Sequence, residues 1–289
     1  GINPDIVWRA FGDKAEINRT PQDDPDAFEP ERLPTLKSLR ALLAQSRIDL
    51  PPELPAIAAG VIGYMGYDTV RLIEHLPGER PDALDVPDSV FVRPTIMVVF
   101  DAIKVEMIVV TPVYPDPGID AKAAHAAAIE RLRQVVQALD EPLPHATSMS
   151  GVELALPAPV SNTTPAEFIA MVERAKEYIA AGDIFQVVLA RRWKVPRRVP
   201  PLSLYRALRM VNPSPYMVLL ETPDAALVGA SPEMLVRKTG TLIETRPIAG
   251  TRPRGIDDEG DATDFAFRAC RQLGRRGEID VAWARRKEH

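Results

Sequence analysis

Three short segments of the chain carry residues that could do chemistry. The first runs Gly182-Asp183-Ile184-Phe185-Gln186-Val187-Val188-Leu189-Ala190-Arg191-Arg192. Gln186 is a neutral hydrogen-bonding group among Phe185, Val187 and Val188, and a buried amide there must find partners. It reads either as a group that holds a substrate or as the outward-facing polar residue of a half-buried strand. The second is Gly229-Ala230-Ser231-Pro232-Glu233-Met234, a turn that closes an apolar strand and carries one carboxylate. In an apolar cleft a carboxylate keeps its proton to higher pH and can act as a general acid; on an open loop it is a solvated surface group. The third is Glu244-Thr245-Arg246-Pro247-Ile248-Ala249-Gly250-Thr251-Arg252-Pro253-Arg254-Gly255. Backbone N–H groups beside guanidinium groups suit a small carboxylated substrate. The same run would also make an ordinary basic surface loop.

Other chemistries find less support. The histidines, at 75, 125, 145 and 289, do not pair at metal-ligand spacing. No GxSxG, HExxH, GxGxxG or GxxxxGK[ST] pattern occurs. One cysteine, Cys270, in 289 residues excludes a disulfide framework and a cysteine-based zinc site. Lys+Arg number 35 against 40 Asp+Glu, a net charge of −5, which argues against a nucleic-acid partner. No apolar run reaches the ~18 residues that a membrane span needs. With 46% hydrophobic residues the chain can bury a core. A soluble, cytoplasmic protein with no membrane partner is expected.

The elements that must position these segments follow from pattern. Residues 5–18 read as a hairpin around Gly12-Asp13. Leu36, Leu39, Leu42 and Leu43 make 35–46 an amphipathic helix. The Gly-rich run 56–69 suits close strand approach. Residues 89–100 and 103–111 read as a second hairpin, and 118–139 as a helix. Pro142, Pro144, Pro157 and Pro159 mark 140–160 as a linker. Thr164-Pro165-Ala166-Glu167 is a capping box that opens a helix, and Gly182 is placed to close it. Strand composition follows over 184–193, then a helix over 202–211. Strands follow at 217–222 and 226–230, and a hairpin over 234–246 turning at Thr239-Gly240. Without a βαβ rhythm, a mainly antiparallel α+β sandwich is expected.

Taken together, these segments resemble the chorismate-utilising enzyme family and, within it, the anthranilate synthase large components. The likeness runs from residue 2 to about 256. It includes GYMGYD at 63–68, AAGDIFQVVLARR, NPSPYM at 212–217, ASPEML at 230–235 and ETRPIAGTRPRG. It implies an α+β fold, a two-layer antiparallel β-sandwich flanked by helices and incomplete at both ends. It places an N-terminal domain at 1–145 and part of the chorismate-binding domain at 160–256. The implied reaction adds ammonia to chorismate and eliminates pyruvate to give anthranilate. Glu233 is the implied acid for the departing hydroxyl. Gly250, Thr251 and Gln186 are the implied substrate contacts, with Thr251 also counted catalytic. Hydroxylating relatives carry a lysine where Gln186 stands, and aminodeoxychorismate synthases commonly carry one where Ala249 stands, so ammonia as direct nucleophile is favoured. Aminodeoxychorismate synthase, another chorismate-utilising enzyme, or a non-catalytic fragment that binds tryptophan or a partner stay as alternatives. Ammonia is expected from glutamine through an amidotransferase subunit. Asn212, Pro213, Tyr216 and Met217 are expected to contact tryptophan as feedback inhibitor, with the other half of that site upstream of this chain. Mg²⁺ is expected as cofactor, its ligands beyond residue 289.

After residue 256 the likeness stops. Residues 265–289 carry seven Lys+Arg and three Asp+Glu, net +4 in an acidic chain. Residues 257–289 are accordingly read as an atypical basic tail, a candidate for a shifted reading frame. The chain is expected to be a fragment without activity of its own.

Overall fold

The computed structural model describes residues 1–78, 82, 84–115, 118–142, 157–222, 225–245 and 282–283. The chain divides into two compact units, Gly1–Met149 with Thr222–Ala225, and Ser150–Glu221 with Ala226–His289.

In the first unit, β1 (Ile2–Phe11) and β2 (Lys14–Asn18) form the expected hairpin, with Phe11 opposite Lys14 across Gly12-Asp13. Side chains alternate along a strand. Ile6, Trp8 and Ala10 of β1 therefore share a face with Ala15 and Ile17 of β2, and this face is the core. Helix α1 (Thr35–Gln45) covers it with Leu39 and Leu42. Pro34 gives α1 no side-chain cap, and the hairpin turn supplies one instead. The Thr35 N–H donates to Asp13 Oδ1 at 3.0 Å, and Thr35 Oγ1 donates to the Gly12 carbonyl at 2.9 Å.

The sheet extends on both sides of this hairpin. Strand β3 (Glu29–Pro30) pairs with β2. Beyond β1 come β5 (Ser89–Asp101) and then β4 (Ile62–Met65), while β6 (Glu106–Val110) folds back on β5. Every pairing is antiparallel. A Cβ at Gly63 would stand 1.8 Å from the Val90 carbonyl oxygen, so the Gly-rich run does serve close strand approach. Helix α2 (Ala121–Asp140) follows, its first turn capped by the Asp120 carboxylate on the Ala123 N–H at 2.8 Å.

One polar chain runs into this core. Trp8 is fully buried, and its Nε1–H donates to Ser38 Oγ at 2.9 Å. Ser38 donates in turn to Glu31 at 3.0 Å, and Arg19 approaches Glu31 at 3.5 Å. At the far end of β1, Arg93 donates twice to the Asp5 carboxylate at 2.8 Å and lies over the Tyr114 ring at 4.1 Å.

The second unit holds β7 (Val160–Ser161), α3 (Pro165–Ala181), β8 (Trp193–Lys194) and α4 (Pro201–Val211). It continues with β9 (Tyr216–Glu221), β10 (Ala226–Ser231), β11 (Arg237–Thr239) and β12 (Leu242–Thr245). The capping box forms as expected. The Glu167 N–H donates to Thr164 Oγ1 at 3.2 Å, and the Thr164 N–H donates to Glu167 Oε2 at 2.8 Å. Gly182 ends α3 with φ 82°, its N–H on the Ile179 carbonyl and the Asp183 N–H on the Tyr178 carbonyl. These are the two bonds of a Schellman motif.

One expectation is corrected here. The strand over 184–193 is reduced to Trp193–Lys194, which pairs only with β7. A strand exists where a neighbour takes its N–H and C=O groups, and among the described residues none takes those of 184–190. Of the expected α+β architecture, the described residues show mixed helix and small antiparallel sheets. No described helix is long and apolar enough to cross a membrane.

Ser38→Ala strands a buried indole N–H, and should cost about 1–3 kcal/mol in urea unfolding followed by tryptophan fluorescence. Lys37→Ala, on the exposed side of α1, serves as the control, and an equal, small loss in both would remove the relay from the core. The Thr164 backbone N–H, and next its hydroxyl, hold the Glu167 carboxyl below the usual glutamate range. A lowered folded-state value means the cap is present above the unfolded-state value and is lost as pH falls through the folded one. Carboxyl NMR should therefore give Glu167 a midpoint below that of an unstructured glutamate, and Thr164→Ala, which removes the hydroxyl but keeps the backbone N–H, should raise that midpoint only part of the way.

Candidate functional site

The site segments of the second unit are built on two hairpins. Helix α4 ends at Asn212, whose N–H still reaches the Leu208 carbonyl at 2.8 Å. Pro213 and Pro215 cannot extend the helix, and each pushes its preceding residue toward extended backbone. The chain therefore enters β9 directly at Tyr216. Asn212 and Pro213 are exposed, while Tyr216 and Met217 are half-buried.

Strand β9 turns through the Thr222 hydroxyl, which donates to the Ala225 carbonyl at 2.9 Å, and returns as β10. The ladder sets Met217 opposite Ala230 and Tyr216 opposite Ser231. Pro232 then stops the strand, because it has no N–H for a ladder. Ser231 folds the next residues into a compact turn: its Oγ donates to the Glu233 carbonyl at 2.9 Å and accepts from the Glu233 N–H at 3.3 Å. The expected acid and the expected tryptophan motif thus share one end of one hairpin. Glu233 is exposed, and among the described residues no apolar cleft encloses it.

The second hairpin differs from expectation by one residue. The turn lies at Gly240-Thr241, with Thr239 opposite Leu242, because Gly240 takes φ 60° at the first turn position. This register sets Arg237 opposite Glu244. The guanidinium donates to both carboxylate oxygens, at 2.6 and 2.8 Å. The Glu244 side chain is buried and that of Arg237 is more than half exposed. Hydrogen bonding to Arg237 holds the Glu244 carboxyl below the usual range. The pair was missed in the sequence because a turn at Thr239-Gly240 would set Arg237 opposite Leu242 instead. Counting outward from a glycine at the first turn position is the signal that would have found it. Strand β12 feeds directly into the run that holds Gly250 and Thr251, and both residues lie outside the described ones.

Gln186 is exposed on the segment after α3, and no hydrogen bond joins it to either hairpin among the described residues. The arginines that follow it have structural work. Arg191 Nε–H reaches Ser161 Oγ at 2.8 Å and the Thr163 carbonyl at 3.1 Å, with its guanidinium over the Trp193 ring at 4.2 Å. The Arg192 N–H donates to Asn162 Oδ1 at 2.8 Å. They anchor the segment that leads into α3.

Comparison with known proteins places these features. Anthranilate synthase component 1 of Cereibacter sphaeroides is 46% identical over 261 residues, covering 90% of this chain and 52% of its own. The component 1 of Thermus thermophilus is 44% identical over 234 residues, covering 80% and 48%. The crystal structure of anthranilate synthase component I from Streptococcus pneumoniae TIGR4 superposes with a TM-score of 0.69 at 27% identity, over 84% of this chain and 52% of that one. The chain spans about half the length of the curated relatives it matches. Residues 4–266 match the family described as chorismate binding enzyme, and the chain belongs to that family.

Proposed function

We propose that this chain is part of an anthranilate synthase large component of tryptophan biosynthesis, acting on chorismate in the cytoplasm. In this reading ammonia adds to the ring, the ring hydroxyl leaves as water with a proton from Glu233, and pyruvate is then eliminated. Gly250, Thr251 and Gln186 contact the substrate. With glutamine at 186 and alanine at 249, neither position supplies a lysine base or nucleophile, which favours ammonia as the attacking group. A separate amidotransferase subunit releases that ammonia from glutamine. Asn212, Pro213, Tyr216 and Met217 belong to a tryptophan feedback site. The working partition is 1–145, 160–256 and an atypical 257–289.

The observation that carries this reading is the meeting of two segments on one ladder. Tyr216, from the run 212–217, stands opposite Ser231, which holds Glu233 by two hydrogen bonds. The names of the relatives support the same reaction. An acid role needs the carboxylate drawn out of bulk water, and Glu233 is exposed in this chain. The reading therefore requires further polypeptide over that end of the hairpin. Mg²⁺ belongs to the proposal too. Among the described residues no three His, Cys, Asp or Glu side chains converge as a metal site, so no step is routed through it.

The test is a chimera in which residues 4–266 replace the matched stretch of the Cereibacter sphaeroides relative. With chorismate, ammonium and Mg²⁺ it should form anthranilate, read by fluorescence. Glu233→Gln should lower the rate ~10²–10⁴-fold, the usual worth of a general acid. A folded chimera that gives another product, or an unchanged Glu233→Gln variant, would overturn the reading. The 289-residue chain alone should give no anthranilate in the same assay.

A further inference from the structure

Among the described residues Glu244 is the only buried residue of the second unit, and it is a carboxylate. Removing a charge from water is costly unless an opposite charge meets it in good geometry. Arg237 does so, its Nε and Nη2 each donating to one carboxylate oxygen, at 2.6 and 2.8 Å. Two other ion pairs of this unit are of a different kind. Arg174–Glu177 and Lys176–Glu173 join neighbours on α3, and all four side chains are at least 60% exposed. Such pairs contribute little. Arg237–Glu244 instead ties two strands together. Two apolar side chains could fill the same place without the cost of burying a charge, so the pair calls for a reason beyond stability.

Its position in the hairpin supplies one. Strands β11 and β12 pair at three positions, and Arg237–Glu244 is the one farthest from the turn. The open end of so short a ladder is where the strands part first. From that end the chain runs to both arms of the proposed site. Glu233 stands four residues before Arg237, and Gly250 six residues after Glu244. On its other edge β12 pairs with β13 (Ala282–Trp283), but the side-chain bond between the two arms is made by Arg237 and Glu244.

The chemistry of the pair suits a fixed geometry. A guanidinium fork sets the orientation of a carboxylate as well as its distance, which a single ammonium contact does not. Hydrogen bonding to Arg237 also keeps Glu244 ionised to lower pH than an ordinary glutamate, so the pair is closed at neutral pH.

We propose that Arg237 and Glu244 form a clasp that positions the two arms of the site, holding the chain that leaves Glu233 against the chain that enters 246–255. The clasp thereby sets Glu233 relative to Gly250 and Thr251. In this role neither side chain touches the substrate, and both are positioning residues. The proposal rests on the roles proposed for Glu233, Gly250 and Thr251, and adds to them two residues that act through the backbone.

Two measurements test it. In the chimera with the Cereibacter sphaeroides relative, Glu244→Gln should lower kcat per folded molecule about 100-fold, the cost of a misplacement of ~1 Å, with little change in the KM for chorismate. Arg237→Lys keeps the charge but loses the fork, and should fall between Glu244→Gln and the parent chimera. Arg237→Met combined with Glu244→Gln should lose no more than the worse single change, because the two act as one device. Lys238→Ala, exposed on β11, should leave kcat unchanged. A merely structural pair would lower the melting temperature of Glu244→Gln and leave kcat per folded molecule at the parent value, which would overturn the proposal. Losses that add in the double variant would overturn it too.

The second measurement needs no catalysis. In the 289-residue chain, Glu244→Gln should speed amide exchange over 242–245 about tenfold or more, the weight of a charge-assisted hydrogen bond, and leave β9 and β10 unchanged. Unchanged exchange over 242–245 would refute the clasp. A parent chimera that makes no anthranilate would remove the reading of function, and exchange alone would then decide whether the pair closes the hairpin.

Discussion

Strand β5 is the constraint on which the first unit depends. Residues 89–92 pair with β1 on one side and β4 on the other, and its far end carries β6. This fixes a cross-strand row in which Trp8, Phe91 and Gly63 stand side by side. The row is graded in size for a reason. Trp8 and Phe91 place their rings 6.0 Å apart, and β4 comes so close to β5 that only a residue without a side chain fits opposite Phe91. A slip of one residue would send Trp8 to the other face. It would then lose both the pocket under α1 and its bond to Ser38. The buried indole therefore selects the register as well as filling the core.

The second unit shows what the same chemistry does without such a spine. Its local devices are complete: the Thr164–Glu167 box opens α3, the Schellman bonds close it, and the two hairpins have paired ladders. Helix α4 lies against β9 and β10, yet among the described residues neither α3 nor α4 holds a buried residue. Hydrophobic burial outweighs the entropy of ordering a chain only when apolar area is removed from water. Local devices hold the elements of this unit, and among the described residues it buries no hydrophobic side chain.

This division also explains what could be read from the sequence. Gly12-Asp13, the α3 cap and the β9–β10 strands were legible because each depends on residues a few positions apart. The strand over 184–193 was not, since strand composition states a capacity and the ladder needs a neighbour distant in sequence. For the candidate site, the segments 212–217 and 230–235 were legible by type and spacing, but their meeting across one ladder was not. Arg237–Glu244 escaped for a smaller reason. The turn was placed one residue early, and one residue is enough to exchange every cross-strand partner.

The ladder between β9 and β10 gives the proposed site its rigidity and also its vulnerability. Tyr216 and Ser231 are opposed residues, so a displacement of the chain where α4 hands over to β9 passes to Ser231 through backbone pairing. Ser231 grips the Glu233 backbone at both its N–H and its carbonyl, and thus carries that displacement to the backbone of the proposed acid. The register of one hairpin then sets where the Glu233 backbone stands relative to 216–217. A short, stiff route of this kind needs no domain motion. It needs only that the hairpin end be covered, so that the positions of Tyr216 and Glu233 are held against a common neighbour.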